Sequence, residues 1–460
     1  MRTPGNALRR SLGLALVASL ATALSGCASS DDISDAIQSI NPFAQKEETL
    51  PGARKAVLDG QDPLQGTGGR TVSIGSARAI GTWQQAGGTA GNNAGHVSMS
   101  GSGNRLFSTR AGNPAGGGGF TGGTEVRVFA RPVIGNGAAY VFDPNGTVSA
   151  ISLGGGRLWS TSLKPEGTDD LSLGGGVATD GARVYAASGY RAVVSLDAGS
   201  GRVAWSRDLP EPARGAPAIG DGKIFVVAQG NAVYALNQGD GNEVWSYRGI
   251  PEASGLLTRA SPAVSGTIVV VPFSSGEIVA LDTKTGNPIW NEALTRAGPT
   301  LAVSGLSDIA ASPVIDEGAV IATGVGGKTV AFGLRTGDRI WEAPIGSAHT
   351  PIVSGGAVFL VDLDDRLVAL DRKTGAVAWV SQLPAAREDK RRRTNWAGPI
   401  LAGGQLWAVS NNGAMVSADP SSGRLTSSRA NVMPPAYISP VAAQGVMLVL
   451  SGDGTLSGFN

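Results

Sequence analysis

Three features of the 460-residue sequence predict an all-β fold: an eight-bladed β-propeller of four-stranded blades, with an N-terminal strand closing the last blade. Glycine is abundant, at 69 residues, without the every-third spacing of a triple helix. Val, Ile and Leu recur in short dense runs bounded by turn residues. A unit ending in tryptophan returns at Trp159, Trp205, Trp245, Trp290, Trp341 and Trp379, at intervals of 38 to 51 residues. That interval is the length of one propeller blade.

One unit shows how the pieces follow. Ser261-Pro262-Ala263-Val264 leads into an apolar run at 267–271. Gly276-Glu277-Ile278-Val279-Ala280-Leu281-Asp282 follows, and Thr285-Gly286-Asn287-Pro288-Ile289-Trp290 ends it. Units start near Pro132, Val177, Pro217, Pro262, Pro313, Pro351, Pro399 and Pro440, which makes eight. Proline suits an innermost strand, where one edge is expected to stay unpaired. Gly201, Gly286, Gly337, Gly375 and Gly423 supply the positive φ of tight hairpins. Asp282 and Asp371 are placed to cap the turns that follow them. The tryptophan rings are large enough to wedge between neighbouring blades.

The eighth unit is short and ends at Gly454-Thr455-Leu456-Ser457-Gly458-Phe459-Asn460 without an outer strand. Gly103-Asn104-Arg105-Leu106-Phe107 repeats the pattern of Gly286-Asn287-Pro288-Ile289-Trp290 and is expected to supply that strand. Closure of this kind leaves no open ring edge. Blade seven carries Ser427 in the tryptophan slot and is expected to pack more loosely.

Composition narrows the function. Hydrophobic residues make up 42% and charged residues 16%, with a net charge of +1. No basic face argues for a nucleic-acid partner. A single Cys allows no intrachain disulfide, and two His leave little for metal or acid–base work.

The first 26 residues read as a targeting segment. Arg2, Arg9 and Arg10 precede residues 11–26, an apolar stretch of 16. A bilayer span needs about 20, so the pattern is that of a secretory signal. It ends in Leu24-Ser25-Gly26-Cys27, which resembles the lipobox of bacterial lipoproteins. Cys27 is then the expected lipidation site, and two or more acyl chains give a stable anchor. The expected organisation is a signal peptide at 1–26, a lipidated Cys, flexible tether and lead-in at 27–99, and the propeller at 100–460.

A search for chemistry assigns no catalytic, cofactor-binding or metal-binding residue. Asp362, Asp364 and Asp365 form the densest acidic group. Strand alternation sends Asp362 and Asp364 to one face and Asp365 to the other, as in a solvated hairpin. A Ca²⁺ site needs six or more oxygens. His96 and His349 lack matching partners, and His349, before Thr350-Pro351, is positioned for the channel mouth. The glycine runs at 116–119 and 154–156 lack the strand–helix setting and Lys of a phosphate loop. Lys390-Arg391-Arg392-Arg393 reads as an exposed interblade loop, with contact to acidic headgroups as the sharper alternative.

The Ala280-Leu281-Asp282-x-x-Thr285-Gly286-x-x-x-Trp290 pattern resembles the repeat of pyrroloquinoline-quinone-type propellers. Eight such units behind a lipobox resemble the BamB family of outer-membrane barrel assembly lipoproteins. Leu306-Ser307-Asp308-Ile309-Ala310-Ala311-Ser312-Pro313, the strand pair around Val361-Asp362-Leu363-Asp364-Asp365-Arg366, and the lead-in from Trp83 to His96 carry the same resemblance. It implies an outer-membrane, lipid-anchored scaffold facing the periplasm, with no cofactor. It also implies docking on a periplasmic POTRA domain of BamA, contacts with other subunits of that complex, and assistance to unfolded barrel clients. The docking loops match Leu256-Leu257-Thr258-Arg259 and Asp308 here, and Ala310 stands where the family has a second Asp. Apolar residues beside an Arg make a plausible interface anchor. The alternatives are a quinone-dependent dehydrogenase of the same fold and an adaptor of another envelope complex. The quinone enzymes use an adjacent Cys pair, which this chain lacks.

Overall fold

Blade four shows why the repeat folds as it does. Strands β14 (Ala263–Ser265), β15 (Ile268–Pro272), β16 (Glu277–Asp282) and β17 (Pro288–Ala293) pair antiparallel in sequence order. Asp282 Oδ1 accepts the amides of Lys284 and Thr285 at 3.0 and 2.9 Å, capping the β16–β17 turn. Gly286 then sits at φ 74°. A Cβ there would lie 2.6 Å from the Trp245 ring of the preceding blade, so the turn and the close approach both demand glycine.

The computed structural model describes residues 64, 69–116, 126–250, 260–294, 309–385 and 394–460. Among them, thirty-two strands form eight four-stranded sheets, the expected propeller. Seven sheets are built from consecutive strands. The eighth has the order β1–β32–β31–β30, where β1 is Arg105–Arg110, β30 Val441–Ala443, β31 Val446–Leu450 and β32 Thr455–Phe459. Phe107 faces Gly458 and Thr109 faces Leu456 across the closure. The expected closing strand is therefore present, with its sequence match beginning at Gly103.

The tryptophans lock neighbouring blades. Trp159, Trp205, Trp245, Trp290, Trp341 and Trp379 rest on the turn glycines of the next blade, Gly201, Gly241, Gly286, Gly337, Gly375 and Gly423. Five of these indole N–H groups donate to a carbonyl there, those of Ala198, Thr283, Leu334, Arg372 and Pro420. Trp205 Nε1 finds no acceptor. Phe107 fills the same slot over Gly155 and joins blade eight to blade one. At blade seven Ser427 lies opposite Ser417. There Trp407, on β27 (Gln405–Ser410), packs instead on Gly103 of the closing segment. The hydrophobic clusters accordingly run from blade to blade, with blades four and five sharing one that includes Trp290, Phe332 and Ile309.

The edges facing the channel are not left unpaired, contrary to expectation. Residues 80–97 thread past the innermost strands and bond to each blade in turn. Trp83 and Ile134 exchange both backbone hydrogen bonds, at 2.8 and 2.9 Å. Thr179 N donates to Gln84 O, Ile219 N to Gln85 Oε1, Val264 N to Ala90 O and Ile315 N to Gly91 O. Val353 N donates to Asn93 Oδ1, and Val97 N to Leu401 O. These seven blade residues occupy equivalent registers in their strands. Blade eight joins through Gln444 N and Ile80 O, 2.9 Å. The physical reason is that a buried strand edge needs partners for its amides and carbonyls. His96 fastens the far end, accepting the Gly404 amide on Nε2 at 2.9 Å. Its Nδ1 is then the donor toward Gly75 O at 2.9 Å.

Candidate partner-docking face and the channel cavity

Cys27, Leu256, Leu257, Arg259, Asp308 and the Lys390–Arg393 run lie outside the described residues. The residues flanking 251–259 and 295–308 are described. On the entry side, Ile250 N donates to Glu277 Oε2 at 3.0 Å, and Asn231 Nδ2 donates to Ile250 O at 2.9 Å. Glu277 is buried, and its carboxylate also accepts from Ser275 Oγ and Asn291 Nδ2. Arg214, buried beside them, donates to Asn231 Oδ1 and to Pro272 O. Ile250 itself is 58% exposed, an apolar side chain directly before the segment that carries Leu256 and Leu257.

On the return side the described flanking residues are joined. Ser261 N donates to Ser312 Oγ at 2.9 Å, and Ser312 N donates to Thr350 Oγ1 at 3.3 Å. This chain links the first residues of blades four, five and six. Ala260, Ser261, Ile309 and Ser312 are all buried. The described residues that follow 251–259 and 295–308 are thus held together by hydrogen bonds between neighbouring blade starts.

Ser312 and Thr350 also line a cavity of about 410 Å³ in the channel. Its other walls are chiefly small and apolar, including Ala86, Ala216, Ala310 and Ile438, and its polar groups include Arg131, His349 and Tyr437. Arg131 Nη1 donates to Ala86 O at 2.7 Å and Nε to Ser439 O at 3.3 Å. Burial lowers the Arg131 pKa to about 10. Burial, and then the Arg131 charge, lower the His349 pKa to about 4, so its ring is neutral at physiological pH. His349 thus lines the channel, as its position before Pro351 suggests. Arg131 was not singled out in the sequence; the available signal is a charged residue directly before a blade-start proline.

The acidic group forms the turn of a hairpin, as expected, with Asp364 exposed but Asp362 not. Asp362 is buried and caps its own turn, accepting Asp364 N, Arg366 N and Arg366 Nε at 3.0, 2.8 and 2.6 Å. Asp365 accepts the Trp396 amide at 2.9 Å. Alternation fails there because residues 362–365 form the turn itself. Among the described residues no group of three or more His, Cys, Asp or Glu side chains is placed to hold a metal.

Comparison with known proteins agrees with the repeat. The family model for outer membrane protein assembly factor BamB matches residues 144–381. The Yersinia pestis protein of that name is 30% identical over 226 residues, 48% of this chain and 57% of the relative. The Escherichia coli protein is 28% identical over 224 residues, with the same shares. This chain spans 50 to 60% of the length of the first curated relatives it matches. BamB from Moraxella catarrhalis superposes with a TM-score of 0.64 at 19% identity, over 78% of this chain and 99% of that one. Quinohemoprotein alcohol dehydrogenase from Comamonas testosteroni superposes at 0.60 and 15% identity, over 83% and 81%, a likeness of fold. With the family model covering more than half of its length, the chain belongs to the outer membrane protein assembly factor BamB family.

Proposed function

We propose that this chain is a scaffold subunit of an outer-membrane β-barrel assembly machinery, anchored through Cys27 and facing the periplasm. It holds partners and does no chemistry of its own. It docks on a POTRA domain of the barrel protein BamA through residues 251–259 and 295–308, with Leu256, Leu257, Arg259 and Asp308 as the contacts. Other subunits and unfolded barrel chains are its further partners.

Family membership supports the complex. The observation that supports the site is the Ser261–Ser312 hydrogen bond, which joins the described residues just after the two segments. Segments that lead into neighbouring blade starts can present one composite patch, and an apolar pair beside an Arg suits its centre. Affinity purification from detergent-solubilised envelopes tests the reading. The barrel protein is expected to co-purify with the tagged chain, and its absence overturns the assignment.

A further inference from the structure

The channel cavity contains a cation with no counter-charge among the described residues. There Arg131 has no ion-pair partner, and its hydrogen bonds go to two backbone carbonyls, those of Ala86 and Ser439. Neither carbonyl neutralises it. Its third nitrogen, Nη2, has no hydrogen-bond partner among the described residues. Among the described residues no Asp or Glu lines the cavity, and His349 adds no charge because its ring is neutral. A guanidinium taken out of water gains most from an anion that accepts its N–H groups in plane.

The rest of the cavity defines the body of that anion. About 410 Å³ is room for a small organic molecule, and the walls are largely alanine with valine, isoleucine and phenylalanine. The lead-in closes one side, since Ala86 belongs both to the lining and to the Arg131 hydrogen bonds. With one N–H of Nη1 and that of Nε engaged, three of the five guanidinium N–H groups of Arg131 remain for an incoming acceptor. A doubly charged anion would find a single cation, so one carboxylate is the better match.

We propose that the channel cavity is a binding site for a monocarboxylate with an apolar body, whose carboxylate pairs with Arg131. The carboxylate can belong to a free acid or to the C-terminus of a short apolar peptide.

Calorimetric titration of the full chain with 3-phenylpropionate and with trialanine, each beside its neutral amide, tests this and separates the two sources. At least one acid is expected to bind, with its amide weaker by roughly tenfold or more, since a charged hydrogen bond is lost. Binding of the free acid alone assigns a small molecule; binding of trialanine alone assigns a chain end. Arg131→Gln should abolish the preference for acid over amide, while Arg131→Lys keeps most of it. Arg131 also holds the lead-in, so Arg131→Gln can weaken the fold. Ala310→Leu keeps the charge and fills the cavity, and it should reduce acid binding tenfold or more with an unchanged melting curve. No binding of either acid at millimolar concentration overturns the proposal. So does equal binding of acid and amide, or binding that Ala310→Leu leaves intact.

Discussion

Gln85 Nε2 donates to Asn92 Oδ1 at 3.1 Å inside the ring, and both side chains are fully buried. Asn92 Nδ2 in turn reaches the carbonyls of Pro262 and Pro313, at 3.0 and 3.1 Å, on two different blades. Gln85 Oε1 accepts the Ile219 amide on a third. Two amide side chains thus satisfy backbone groups that no strand reaches.

Asn92 is consequently predicted to matter to stability out of proportion to its size. Asn92→Ala leaves two buried carbonyls without donors and should cost about 2–6 kcal/mol, at roughly 1–3 kcal/mol per orphaned group. Asn92→Asp should cost more, because it turns an anion toward those carbonyls. Urea denaturation of the three proteins checks both the loss and its order. An aspartate variant as stable as the native chain would contradict this reading of the lead-in.

The two kinds of tryptophan site separate packing from hydrogen bonding. Trp290 stacks near Phe332, with ring centroids 5.9 Å apart, and donates to Leu334 O at 2.8 Å. Trp205 packs similarly, 6.2 Å from Tyr185, but its N–H has no acceptor. Trp290→Ala should destabilise by about 3–5 kcal/mol. Replacement by Phe removes the N–H and little else. Trp290→Phe should therefore cost about 1 kcal/mol more than Trp205→Phe, the net value of one hydrogen bond. Equilibrium unfolding of the two Phe variants decides it, and equal losses would remove the distinction.

These residues also show what the sequence could and could not reveal. The blade repeat was legible because tryptophan, turn glycine and capping aspartate recur at blade spacing. The closing strand was legible because it completes a unit that ends early. Asn92 and Gln85 carry no such signal: they look like loop residues, and their partners are backbone groups on strands 134 to 221 residues away. Arg131 reads like any surface arginine until the ring closes around it. Ser427 does mark a missing tryptophan, yet the compensating Trp407 arrives from a different strand and faces the closing segment.

His349 gives a pH dependence of defined sign. Its ordinary pKa of 6.5 falls to about 4 in the fold, through burial first and the Arg131 charge second. The other titratable group lining the cavity is Tyr437, which stacks under Arg127, with the guanidinium carbon 4.2 Å from the ring centroid. Above about pH 6.5 the imidazole is neutral in both folded and unfolded chains, so it does not shift the balance. Between pH 6.5 and about 4 the unfolded chain takes up a proton that the folded chain refuses, and stability falls. His349→Gln should remove about 1–3 kcal/mol of that acid loss while leaving stability at pH 8 nearly unchanged. Urea unfolding at pH 8 and pH 4.5 measures the difference. A steeper acid loss in the variant would show that His349 is charged in the fold.

The docking assignment can be separated from the fold because the mooring and the proposed contacts are different residues. Ser312 holds the Ser261 amide, and both are buried. Ser312→Ala orphans that amide and should lower stability by about 1–3 kcal/mol. Arg259 and Asp308, as proposed contacts, should behave in the opposite way. Arg259→Glu or Asp308→Arg reverses a charge at the interface, which typically weakens association by roughly tenfold or more, and should leave thermal unfolding unchanged. Pull-down of the barrel protein and a melting curve on each variant give two readouts per protein. Charge reversals that leave pull-down intact would move the interface off these segments. Charge reversals that lower the melting point as far as Ser312→Ala would make Arg259 and Asp308 part of the ring's own mooring.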